Sequence, residues 1–124
     1  MIVLDYQDRR PIYEQVTDKF QILILNGILP PGSQMPSVRQ LATELSVNPN
    51  TIQRAYMELE KLGLIYPVKG RGNFVADSSQ VQKINRESYQ KEFAALIQKG
   101  RNTGFNREEL EIMMAEIFEK EDES

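Results

Sequence analysis

The 124-residue sequence contains neither cysteine nor histidine. The first absence excludes disulfides and thiolate metal sites. The second removes imidazole ligands and the side chain that most often serves as a general base. No metal or cofactor is therefore expected, and an enzyme built from this chain would lack its usual tools. No run of about 18 apolar residues is present to span a bilayer. Residues Met1–Arg10 carry Asp5 and Asp8 where a secretory leader has a basic and then an apolar stretch. The expected location is the cytoplasm, with no membrane partner. A strong basic surplus is missing too, since the formal net charge is −3. The charge is uneven, however: residues 1–76 hold 8 Lys/Arg against 7 Asp/Glu, and residues 77–124 hold 7 against 11. Local charge decides whether a phosphate backbone is attracted, so a modest basic surface on the first part can coexist with an acidic tail.

This length suits one small domain with a short appendage. Pro11 fits the first turn of a helix, and Ile12, Val16, Phe20 and Leu23 then form one apolar stripe ending near Asn26-Gly27. Pro30-Pro31-Gly32 imposes a loop. Ser37 and Gln40 make a capping-box pattern ahead of Val38, Leu41, Ala42 and Leu45, the buried face of a short second helix. Asn48 is a good N-cap and Pro49 a good first helical residue, so a third helix starts after a turn of about three residues, which forces a steep crossing. Ile52, Ala55, Leu59 and Leu62 are expected to point inward, and Gly63 to stop this helix. Its opposite face is Asn50, Thr51, Gln53, Arg54, Met57 and Glu58. Asn, Gln and Arg are the side chains able to bond base edges bidentately, so such a face suits the major groove.

Residues 64–68 and 73–76 are β-rich runs joined by Lys69-Gly70-Arg71-Gly72, a hairpin with a basic tip. Pro67 cannot donate to a ladder, which makes its strand an edge or turns its nitrogen outward, as in a small two- or three-stranded wing. The polar Asp77-Ser78-Ser79-Gln80 reads as a boundary. Beyond it, a helix over roughly Gln82–Lys99 is expected to stop at Gly100, with Tyr89, Phe93, Leu96 and Ile97 on one face. A last helix opens with the capping box Asn106/Glu109, has Phe105 and Leu110 at staple positions, and carries Leu110, Met113, Met114, Ile117 and Phe118 as its stripe. Two amphipathic helices are too few to close a core, so these faces need a partner. The fold class expected is mainly α with a small β-hairpin: a winged helix-turn-helix domain over 1–76 and a short two-helix dimerisation region over 77–124.

Each signal has a plainer alternative. Residues 36–62 alone also fit an ordinary helical hairpin, and the basic hairpin just downstream is what turns them into a winged helix. Gly70-Arg71-Gly72 lacks the strand-then-helix setting of a dinucleotide fingerprint. Arg54 is the foremost candidate for a base or phosphate contact, the alternative being a pair with Glu58 at i+4. Arg39 sits just inside a helix N-terminus, where the macrodipole disfavours it, and so reads as serving a partner. Tyr56, Tyr66 and Phe74 read as core, Met113 and Met114 as interface filler. Glu108, Glu109, Glu119 and Glu121 read as solvated faces. Two rival functions stay open: a winged-helix protein-interaction module, and a small enzyme using Arg, Asp and Glu, for which no nucleophile with an adjacent base is found.

The ordered series PIYEQV, an N-G-x-L-x-P-G-S segment, PSVRQLA, VNPNTIQRAYMELEKLGLI and GRGNFV resembles the GntR family of bacterial transcription regulators, specifically its short YtrA subfamily, over about residues 8–76. The resemblance implies a winged-helix domain and a homodimer bound to an inverted-repeat DNA operator, usually as a repressor, with the gene often beside transporter genes. Carried over by position, Arg39, Asn50, Thr51, Arg54 and Gly70 to Gly72 fall where the family contacts DNA. With the caps, the polar helix face and the hairpin tip, the candidate DNA-binding set is Ser37, Arg39, Asn48, Asn50, Thr51, Gln53, Arg54, Lys69, Gly70, Arg71 and Gly72. Gln34-Met35 stands where the family often has an acid and leucine. The C-terminal part is much shorter than the ligand-sensing domains of other branches, and in the YtrA branch a similar tail serves dimerisation. The residues name no small-molecule effector.

Overall fold

Helix α1 (Ile12–Leu25) is capped by the carbonyl of Pro11. It is followed by α2 (Val38–Leu45), α3 (Pro49–Lys61), strands β1 (Ile65–Val68) and β2 (Gly72–Val75), then α4 (Ser79–Thr103) and α5 (Arg107–Glu123). This is a computed structural model describing residues 2–123. The chain divides into two compact units, Met1–Lys83 and Ile84–Ser124, a division that falls within α4.

In the first unit, the apolar stripes of α1, α2 and α3 meet at Val16, Phe20, Leu41, Ile52, Tyr56 and Leu59, all almost fully buried, and Leu64 and Val75 close the core from the hairpin. Full burial of one such side chain stabilises by about 1.5–3 kcal/mol. Phe20 and Tyr56 meet edge to face at 5.8 Å. The chain before α1 contributes as well: Ile2 is buried while Val3 is 78% exposed, the alternation of an extended segment. Buried Gln15 fixes that segment, accepting from the Asp5 amide at 3.1 Å and donating to the Arg10 carbonyl at 3.2 Å.

Strands β1 and β2 pair antiparallel, with Tyr66 opposite Phe74 and Pro67 opposite Asn73. Asn73 and Val75 turn their other edge to residues 32–35: Met35 N–H donates to the Asn73 carbonyl, Val75 N–H to Ser33 and Gly32 N–H to Val75, each at 2.8 Å. The Pro67–Asn73 pair is therefore not hydrogen-bonded to itself, and the proline nitrogen faces outward on an edge strand, where its missing proton costs nothing.

Several local expectations give way to packing. Leu62 is 42% exposed instead of inward, because the helix ends at Lys61 and Gly63, at φ 76°, swings the chain so that Leu64 takes the core position. Tyr66 is 43% exposed, since strand alternation puts it on the outer face, stacked on half-buried Phe74 at 6.0 Å. Helix α4 starts at Ser79, ahead of the expected Gln82, with Asp77 accepting from the Ser79 amide at 3.1 Å just before it. The first turn of α4 is tied into the first unit by Val81 against the core and by Gln82 donating to the Leu25 carbonyl at 3.1 Å.

The second unit is a helical hairpin. Gly100 does not stop α4, and its missing side chain has a different use: a Cβ there would stand 3.2 Å from Leu110 Cδ2 of α5. The stop comes at Gly104, φ 109°, where Phe105 N–H bonds the Gly100 carbonyl at 3.0 Å. The capping box of α5 is complete, with Glu109 N–H on Asn106 Oδ1 at 2.8 Å and Asn106 N–H on Glu109 Oε1 at 3.1 Å. Tyr89 and Phe93 stack at 6.3 Å. No described side chain of this unit is buried.

Candidate nucleic-acid interface

The joint between α2 and α3 is built by short-range bonds. Ser37 Oγ accepts from the Gln40 amide at 3.0 Å and opens α2. Ser46 closes α2 in the left-handed region, φ 55°, a position usually left to glycine or asparagine. Its strain is supported by Ser46 N–H on the Thr43 carbonyl and Val47 N–H on that of Ala42. Asn48 Oδ1 then accepts from the Asn50 amide at 2.8 Å and Pro49 starts α3. Deeper in, the Tyr56 hydroxyl donates to the Pro36 carbonyl at 2.7 Å, tying α3 to the segment that enters α2. Burial, with the Glu44 carboxylate adding to it, pushes this phenol well above its ordinary pKa.

With Ile52, Ala55, Tyr56 and Leu59 buried, α3 shows solvent Asn50, Gln53, Arg54 and Met57, while Thr51 and Glu58 are half-buried. Arg54 does not pair with Glu58, which instead receives Lys61 at 3.5 Å. Its guanidinium carbon lies 3.8 Å from the ring centroid of Tyr13, on α1. A contact made through the guanidinium face leaves the N–H edge for hydrogen bonding. Arg10 is the contrast: held by Asp8 at 2.9 Å and by Asp18, its charge is spent inside the protein. Among the described residues, Arg39, Lys69 and Arg71 are exposed and stand in no ion pair.

The hairpin tip turns at Gly70, φ 78°, with Arg71 N–H on the Val68 carbonyl at 2.9 Å, and again at Gly72, φ 107°. Gln34 braces it, its Nε2 donating to the Arg71 carbonyl at 2.9 Å. Gln34 is three residues from Ser37, a span of at most about 10 Å of extended chain. The wing tip and the start of α2 therefore share one end of the unit. The fold thus brings Ser37, Arg39, Asn48, Asn50, Thr51, Gln53, Arg54 and Lys69 to Gly72 onto the first unit. Tyr89, Phe93, Leu96, Met113, Met114, Ile117 and Phe118 are exposed on the second, with Ile97 and Leu110 half-buried. Sequence reasoning missed Tyr13 and Gln34, whose partners lie far along the chain and leave no local signal.

Comparison with known proteins agrees with this architecture. The profile described as bacterial regulatory proteins, gntR family, matches residues 12–75. The chain is 42% identical over 84 residues to the HTH-type transcriptional repressor YtrA of Bacillus subtilis, covering 68% of this chain and 65% of that repressor. Among solved structures it is similar to a GntR family transcriptional regulator from Listeria monocytogenes, with TM-score 0.72 and 33% identity over 91% of this chain and 98% of that one. The DNA-binding domain of AraR in complex with operator ORR3 matches with TM-score 0.53 and 32% identity over 61% of this chain and 92% of its own.

Proposed function

The chain belongs to the GntR family of bacterial regulatory proteins, and from that premise we propose that it is a sequence-specific repressor that binds an inverted-repeat DNA operator as a homodimer. Members of this family are regulators and not enzymes. The observation that carries the reading is the outer face of α3, where Asn50, Gln53 and Arg54 are exposed, together with a basic wing tip at the end of the unit where α2 begins. In this reading α3 lies in the major groove. Asn50, Thr51, Gln53 and Arg54 meet base edges, and Ser37, Arg39 and Asn48 meet the phosphates flanking them. Lys69 and Arg71 reach backbone phosphates from the wing, and Gly70 and Gly72 let it approach closely.

Residues 77–124 act as the dimerisation region, joining two copies through the apolar faces of α4 and α5. An isologous pair matches a two-fold operator, with half-sites about one helical turn or a multiple apart. The resemblance to the YtrA branch extends the proposal to transporter genes as targets. Neither a cofactor nor a membrane enters the mechanism.

The test is to sequence the genomic DNA that the protein retains and then measure binding to the recovered operator. Arg54→Ala is expected to weaken operator binding by about 1–3 kcal/mol and to flatten discrimination against scrambled DNA. Neutralising Lys69 and Arg71 is expected to weaken all sequences alike and make the salt slope shallower by about one per lost phosphate contact. Retention of no preferred sequence would refute the reading and favour a protein-interaction module.

A further inference from the structure

We propose that Tyr13 is a positioning residue for Arg54: its ring holds the guanidinium on the outer face of α3, so that Tyr13 sharpens sequence discrimination without touching DNA. This rests on the reading of α3 as the base-contacting helix. Tyr13 lies on α1, outside the helix-turn-helix and the wing, and no base-contacting role falls to it.

Three observations carry the proposal. The guanidinium carbon is 3.8 Å from the Tyr13 ring centroid, well inside the range of a cation–π contact. The ring is itself held, because Tyr13 is half-buried against the core, one turn before Val16 and two before Phe20 on the face that seats α1 there, and its hydroxyl donates to the Glu14 carboxylate at 3.3 Å. The acid that could compete on α3, Glu58, is engaged by Lys61. The chemistry of the support matters too. An ion pair with Glu58 would fix Arg54 and offset its charge, whereas a neutral ring fixes it and leaves both the charge and the N–H fork for the nucleic acid. A long arginine ordered before binding loses less rotamer freedom on docking. By the usual cost of immobilising such a side chain, this is worth about a two- to tenfold gain in affinity.

The experiment measures dissociation constants for the recovered operator and for scrambled DNA in the full-length chain, with Tyr13→Phe, Tyr13→Leu, Arg54→Ala and the Tyr13→Leu/Arg54→Ala pair, each checked by thermal unfolding. Tyr13→Leu is expected to lose about two- to tenfold on the operator and little on scrambled DNA. Tyr13→Phe should retain binding, and Tyr13→Leu should cost nothing further once Arg54 is alanine. An equal loss on both DNAs, the same loss in the Arg54→Ala background, or unchanged or tighter operator binding would overturn the proposal. Arg54→Ala that leaves discrimination intact would remove its premise, an outcome separable from failure of Tyr13 alone. Where Tyr13→Leu does not fold, the unaltered protein answers by NMR. Upfield ring-current shifts of the Arg54 side-chain protons support the stack, and random-coil shifts overturn it.

Discussion

The two units use the same device, the amphipathic helix, and reach opposite results. In Met1–Lys83 three helices, a hairpin and an N-terminal segment surround one core and leave Val16, Phe20, Ile52, Ala55, Leu59 and Leu64 fully buried. In Ile84–Ser124 two helices with a smaller share of apolar residues bury no described side chain fully, and Tyr89, Leu96, Ile117 and Phe118 are each more than 60% exposed. The difference is the number of layers: a helix pair offers each stripe a single neighbour, whereas a third helix and a hairpin enclose it. One unit encloses a core of its own, and the other presents an apolar surface of the kind that marks an interaction site.

Truncation of a large side chain separates the units most sharply. Phe20→Ala is expected to destabilise the first unit by about 3–5 kcal/mol in denaturant unfolding. Phe118→Ala, at a residue 63% exposed, should change stability by no more than about 0.5 kcal/mol in dilute solution and, under the proposed dimer, instead weaken self-association in sedimentation. A comparable loss at both sites would erase the contrast.

Tyr56→Phe tests the polar bond inside the first core. It strands the Pro36 carbonyl and should cost about 1–3 kcal/mol. The same phenol gives the first unit a pH dependence. Its folded pKa is raised by burial, so its contribution is intact below the unfolded value of about 10 and is lost as pH rises through the folded one. Alkaline unfolding should therefore begin near pH 10 and be less steep in Tyr56→Phe, and identical pH profiles would rule this out.

Two glycines of the second unit should respond with opposite signs. Gly104→Ala is expected to cost about 1–2 kcal/mol, because φ 109° suits no L side chain. Gly100→Ala gains up to about 1 kcal/mol of helix propensity, reduced by the few tenths of an ångström that half-exposed Leu110 must yield. Thermal unfolding by circular dichroism reads both, and a large loss at Gly100 would mean that α4 and α5 are locked more tightly than their exposure implies. The smallest effect is at the wing: Gln34→Ala removes an exposed bond to the Arg71 carbonyl and should cost about 0.5 kcal/mol, with faster amide exchange confined to residues 69–73.

Much of this was legible in the sequence where the cause is local. The caps Ser37, Asn48 and Asn106 were readable because each side chain bonds a backbone amide two or three residues away. The stripes Val16/Phe20 and Ile52/Ala55/Leu59 were readable because helical period places them on one face. Leu62 and Gly100 misled for the complementary reason. Period alone puts Leu62 inward, but the turn at Gly63 hands that place to Leu64. A glycine after a helical run suggests a stop, but Gly100 answers a leucine ten residues on, across the hairpin.

Element order, cap positions, the polar face of α3 and the basic wing tip were thus determined by the sequence itself, through interactions spanning a few residues. Tertiary structure alone decided that Arg54 rests on Tyr13 and not on Glu58, that Gln34 braces a turn 37 residues away, and that Ile2 completes the core. The physical reason is that these partners meet only after burial of the common core has brought distant segments together, and neither propensity nor period encodes which exposed side chain will then lie within reach of which.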